Sequence, residues 1–198
     1  MFTQVLNKAE LRQGDIIEGL YYPLINCGTL RILGEATNQP PSQNEELGLT
    51  AISEKKEGVT FLTAQVKVLR SFVIVLSQCC DLALRNDKLE APAFVISPLF
   101  EIPYQIKTKS EKLSKLQENS LENFVNLFYI PQKEPLSQDY IVDFGRVTSL
   151  PRSEFNFTLS KKVLQMTDEA RVQFKLKLAS HFGRPTQEEI SANLYPNV

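Results

Sequence analysis

Tryptophan is absent from this 198-residue chain, histidine occurs once and cysteine three times. A single His excludes a His-rich metal centre and any mechanism that needs two histidines within one chain. Three Cys, two of them adjacent at Cys79 and Cys80, do not form the paired framework of a small secreted domain, so a reducing, cytoplasmic setting is expected. Charge of one sign is also lacking. Twenty-two Lys and Arg stand against 23 Asp and Glu, a formal charge of -1. No global positive field marks a nucleic-acid binder, although a local patch stays open. No uncharged apolar stretch approaches the roughly 18 residues of a membrane span, and Met1 to Glu10 hold no continuous apolar segment of a secretory signal. No membrane partner is expected.

What is present suits one folded domain over residues 1–198, with 42% hydrophobic and 23% charged residues. Gly14-Asp15 reads as a turn that opens a short strand ending at Pro23, and Asp15 as a turn residue. The polar stretch 35–58, with Pro40-Pro41 and the charged cluster Glu54 to Glu57, reads as a long loop. Alternation of Leu62, Ala64, Val66 and Val68 predicts a half-buried strand over 59–69. After a break at Arg70-Ser71, Phe72 to Leu76 is apolar on both faces, as in a strand inside a core. Residues 91–103 give another core strand bounded by prolines, and 128–130 and 140–144 two more.

Thr108 and Glu111 fit a capping box for a helix over 108–127, with Leu113, Leu116, Phe124 and Leu127 at helical spacing. Pro151 suits the first turn of a short helix at 152–155. Thr167 caps the clearest helix, whose stripe is Ala170, Phe174, Leu178 and Phe182 and which Gly183 and Pro185 end. The expected class is mainly β with helical additions.

The order of Gly14-Asp15-Ile16-Ile17, Arg70 with Phe72 to Ser77, Phe94 to Leu99, Val147 to Phe155 and Thr167 to Gly183 resembles the PemK/MazF toxin family. The resemblance implies a small, strongly bent antiparallel barrel of the Src-homology-3-like, CcdB/PemK type with a C-terminal helix. Segments 35–58 and 104–139 would be insertions that lengthen it. It further implies a metal-independent endoribonuclease without cofactors, acting on single-stranded RNA in a toxin-antitoxin or phage-defence setting. A homodimer and an antitoxin protein are the partners it brings.

In that family an Arg at the start of the core strand contacts the scissile phosphate, and Arg70 matches it; a guanidinium there would stabilise a pentacoordinate phosphorane. The Pro that follows in the family is Ser71 here, and the family's catalytic Thr falls on Ala93. Ser77, Cys80 and Asp81, in the string Ser77-Gln-Cys-Cys-Asp81, are the polar groups left to stand as catalytic candidates beside Arg70. The competing reading is a barrel that has lost the catalytic hydroxyl and binds nucleic acid or protein without turnover.

Each candidate also has a purely structural reading. Cys80 is either a thiolate at a helix N-terminus or, with Cys79, a small buried hydrophobe beside Asp81 as an N-cap. Cys27, Cys79, Cys80 and His181 reach a zinc ligand count but lack Cys-x-x-Cys spacing, so no metal is assigned. His181 itself reads as a helix-end residue favoured by the dipole. Lys107, Lys109, Lys112 and Lys115, with Tyr104, form a basic stripe that would touch a nucleic-acid backbone. Glu111 and Glu118 interrupt it, which equally fits a solvated helix face.

Overall fold

Gly14 takes φ +85°, and a Cβ there would meet the Met166 sulfur at 2.8 Å, so this turn admits glycine alone without rearrangement. From it the chain enters its first strand. The computed structural model describes residues 1–3, 7–23, 52–56, 59–63, 68–85 and 88–183. In chain order the strands are β1 (Ile16–Pro23), β2 (Ile52–Lys56), β3 (Val59–Thr63), β4 (Val68–Val75), β5 (Leu84–Arg85), β6 (Lys88–Leu89) and β7 (Ala93–Glu101). Helices α1 (Tyr104–Lys107) and α2 (Ser110–Gln117) follow, then β8 (Leu127–Ile130), β9 (Tyr140–Asp143) and β10 (Thr148–Pro151). A 3-10 turn at Arg152–Glu154 leads into α3 (Phe155–Ser160), β11 (Lys162–Leu164) and α4 (Asp168–Phe182).

The chain divides into two compact units, Met1–Leu20 with Ser71–Val198, and Tyr21–Arg70. Within the second, β2 and β3 pair as an antiparallel hairpin, Ile52 opposite Thr63 and Lys56 opposite Val59. A strand therefore stands at 52–56, inside the stretch read from sequence as loop. The segment expected as one strand over 59–69 is described as β3 and the start of β4; residues 64–67, like 24–51 with Cys27, lie outside the described residues.

Seven strands form a mainly antiparallel sheet in the order β11-β1-β4-β7-β9-β8, with β10 also on β7. Among the described residues no pairing joins β11 to β8, so the sheet is not closed into a barrel. β7 organises it. One of its edges pairs with β4 through Ile96, Ser97 and Pro98. Its other edge serves β10 over Ala93–Ile96 and then β9 over Leu99–Glu101. Ser97 and Pro98 fall in the gap between those two partners, where the amide that proline lacks has no strand to meet on that side. The Ser97 hydroxyl fills the gap, reaching the carbonyls of Arg146 at 3.0 Å and Asp143 at 3.3 Å.

Period-two alternation sends neighbouring residues to opposite faces. Ile16, Ile74 and Leu76 pack with Phe128, Val142, Phe144 and Phe174 on one side. Ile17, Val73 and Val75 pack with Leu82, Phe94, Ile96 and Phe155 on the other. β4 is thus buried on both faces, which is why its sequence is continuously apolar. Phe174 of α4 meets the ring edges of Phe128 at 4.8 Å and Phe144 at 5.7 Å, anchoring the helix on the sheet.

Of the helix expected over 108–127 only α2 forms, with α1 ahead of the expected start and an irregular return after Gln117. Lys109 occupies the N-cap of α2 without a side-chain cap bond, and the Thr108 hydroxyl instead donates back to the Tyr104 carbonyl. Past Gln117, buried Asn119 adopts φ 51° and its side chain pairs with both backbone groups of Tyr129 in β8. A strand amide and carbonyl captured from a distance outweigh the local helical pattern. α4 follows its sequence signals, with Thr167 accepting from the Ala170 amide, but Phe182, expected on its buried stripe, is 62% exposed.

Candidate functional site

Asp15 is the expected turn residue, its amide donating to the Arg12 carbonyl ahead of β1, but its side chain does not face solvent. It is fully buried against Lys162 of β11, with 2.7 Å between Oδ2 and Nζ. The Arg12 amide also donates to Oδ2, and Lys162 donates further to the Glu10 carbonyl and Gln165 Oε1. Burial pushes the Asp15 carboxyl pKa upward, against the opposing pull of Lys162. Buried Arg171 of α4 closes the network: its Nε donates to the Gln13 carbonyl, its Nη2 to the Met166 carbonyl and its Nη1 to Asp168. The alternation of Lys162 with Leu164 and Met166, all buried, is the one sequence signal that could have put Lys162 inside.

Gln13 belongs to a second region as well. Its Nε2 donates to the Leu76 carbonyl at the end of β4, while its Oε1 has no partner although the residue is 2% exposed. Gln13 lines a groove of about 650 Å³ together with Ser77, Gln78, Asp81, Val147, Lys175 and Phe182. The turn after β4 supplies three of these groups. Ser77 Oγ accepts from the Val95 amide at 2.8 Å, which fixes where the chain leaves the sheet. The Gln78 carbonyl then accepts from the amides of Asp81 and Leu82, making one tight turn rather than a helix. The helix N-terminus expected at Cys80 is therefore not formed, because β5 begins at Leu84. Asp81 caps nothing. It is exposed, with its Oδ1 3.7 Å from Cys80 Sγ.

The two cysteines are not sealed in the core as small hydrophobes. Cys80 is exposed, and half-buried Cys79 lines a second cavity of about 520 Å³ with Arg12, Leu82, Asp168 and Lys175. His181 lines neither cavity; its half-buried ring lies 5.7 Å from that of Phe144 and 4.8 Å from that of Phe182. Among the described residues no cluster of three or more His, Cys, Asp or Glu is placed to hold a metal, and no helix is long and apolar enough to cross a membrane.

The structure thus brings Ser77 and Asp81 together with Gln13, Lys175 and Phe182, which sequence reasoning had not joined to them. Arg70 stands exposed within β4 rather than at a break between strands, and belongs to the second unit. Ala93 begins β7 opposite Pro151, presenting a half-buried methyl group. Lys107, Lys109, Lys112 and Lys115 are all exposed. Lys115 is held by Glu111 at 2.7 Å, which lowers the Glu111 pKa and raises that of the lysine. Lys112 and Lys115 stand three residues apart on α2, with Lys109 at its N-cap.

Comparison of the chain with protein-family models, with curated proteins and with solved structures finds no match.

Proposed function

We propose that this chain is a divergent PemK/MazF-like protein that binds single-stranded RNA through the groove beside Ser77–Asp81, its open sheet being the counterpart of that family's barrel. The observation that carries the reading is the composition of the groove. Gln13, Ser77, Gln78 and Asp81 offer hydrogen-bonding groups, Lys175 a cation, and Phe182 an exposed ring, all lining one space. Single-stranded RNA is recognised by stacking of splayed bases on aromatic rings and by hydrogen bonds to their edges. Lys109 and Lys112 give additional charge for the backbone.

Binding without turnover is favoured over cleavage by one further feature. Ala93 offers a methyl group where the resemblance calls for a catalytic hydroxyl. The resemblance still assigns Arg70 to a phosphate.

Fluorescence anisotropy with a labelled single-stranded RNA, run in parallel with a gel assay for cleavage in chelator, tests both readings. Saturable binding with intact RNA is expected, weakened in Arg70→Ala. Metal-independent cleavage lost in Arg70→Ala would turn the protein into an endoribonuclease, and absence of any binding at 100-fold excess protein would remove the RNA reading.

A further inference from the structure

We propose that Cys79 and Cys80 are a peroxide-sensitive pair, closing a reversible disulfide between adjacent residues that resets the turn after β4. The proposal stands whether or not RNA is the ligand. Both cysteines are free thiols at the two central positions of that turn, where the Gln78 carbonyl accepts from the Asp81 amide at 3.0 Å and the Leu82 amide at 3.2 Å. Cys80 is exposed, so a small oxidant reaches it without any opening of the fold. Its partner thiol is always the next residue in the chain. A reducing setting, which the cysteine count predicts, admits disulfides that are transient and redox-sensing.

The chemistry needs hydrogen peroxide alone. The Cys80 thiolate attacks one peroxide oxygen, leaving a sulfenic acid and, after protonation of the hydroxide released, water. Cys79 sulfur then attacks the Cys80 sulfur and loses its proton to the departing hydroxide, giving a disulfide and a second water. Two thiols are oxidised and one peroxide is reduced. Adjacent Cα atoms are about 3.8 Å apart across a trans peptide, short of the range of about 4.4–6.8 Å in which disulfides are relaxed. The bridge is therefore strained and readily returned to thiols, as regulatory rather than structural disulfides are. In the reduced protein Cys79 lines the cavity with Arg12 and Leu82, while Cys80 Sγ lies 3.7 Å from Gln78 Oε1 and Asp81 Oδ1. Joining the sulfurs turns the peptide between them and breaks the Gln78 carbonyl bonds. Because Gln78 and Asp81 line the groove and Cys79 the cavity, one oxidation reshapes both.

Treatment of the native protein with one equivalent of hydrogen peroxide, followed by peptide mapping and amide hydrogen exchange, tests the proposal. Trypsin cutting after Arg70 and Arg85 places both cysteines in one peptide, 71–85, and Cys27 in another. That peptide is expected two hydrogens lighter, with two of the three thiols lost to titration and both restored by excess reduced glutathione. Exchange at the Asp81 and Leu82 amides should speed up about tenfold on oxidation and return on reduction. Cys79→Ser and Cys80→Ser should each abolish the lighter peptide. A bridge to Cys27 or to a second chain, oxygen gained at Cys80 while Cys79 stays a thiol, or a bridge that resists glutathione would overturn the switch. Unchanged exchange at Asp81 and Leu82 in the oxidised protein would overturn it as well.

Discussion

Two regions of the molecule meet at Gln13, and they handle polarity in opposite ways. Below β1, Asp15, Lys162 and Arg171 are carried into the interior, where they meet carbonyls, carboxylates or each other, while Asp15 Oδ1 is left without a hydrogen-bond partner. Beside β4, the groove leaves polar groups at the surface with apolar neighbours and one acceptor unfilled. The same helix serves both. On α4, Arg171 and Lys177 are buried beside Ala170 and Phe174, while Val172, Leu176 and Phe182 are exposed, a mixed pattern unlike an ordinary amphipathic helix. The lesson is that charges carried inside are held by one dense network, whereas the polar groups exposed along the groove are open to a ligand.

The sharpest way to break that contrast is Lys162→Met. Removing one partner of a buried ion pair leaves an uncompensated charge, so denaturant unfolding should show a loss of about 3–5 kcal/mol. Replacing both groups, as in Asp15→Leu with Lys162→Met, should recover most of it. A single variant as stable as the parent would show the pair to be dispensable and the contrast false.

Lys177 gives an intermediate effect with a definite sign in pH. Its side chain is fully buried, its Nζ donates to the Asn123 carbonyl, and burial lowers its pKa to about 8. Below pH 8 the amine is charged in both the folded and unfolded chains, and the folded state bears the full desolvation penalty. Between about 8 and the unfolded value near 10.4 the unfolded state holds more protons, so stability rises with pH. Relative to Lys177→Met, the parent protein should gain about 2 kcal/mol from pH 8 to pH 10. Parallel stability profiles for the two proteins would place the amine in water.

The smallest effect belongs to the exposed turn after β4. Cys80→Ser changes an exposed side chain whose only partners are at 3.7 Å, so melting should stay within about 0.5 kcal/mol of the parent and RNA affinity should be unchanged. A large loss of affinity would bring the thiol into the ligand site.

Much of the fold was legible in the chain because its signals are local. Gly14 marks the entry to β1, continuous apolarity marks β4 as buried on both faces, and Thr167 with Asp168 and Glu169 marks the start of α4. The candidate site was legible only at Ser77 and Asp81, which lie in one short turn. Gln13, Lys175 and Phe182 come from distant parts of the sequence, and nothing in their local patterns distinguishes them from ordinary polar or core residues.

What the sequence determined by itself was the identity of β1, β4, β7 and α4, since hydrophobic period and capping chemistry act over a few residues. Tertiary structure alone decided that Asp15 meets Lys162, that Asn119 ends α2 by pairing with Tyr129, and that Phe182 faces the groove. Those outcomes depend on desolvation and on hydrogen-bond partners supplied by remote strands, and the strength of both is set by where the chain folds back on itself rather than by neighbours in sequence.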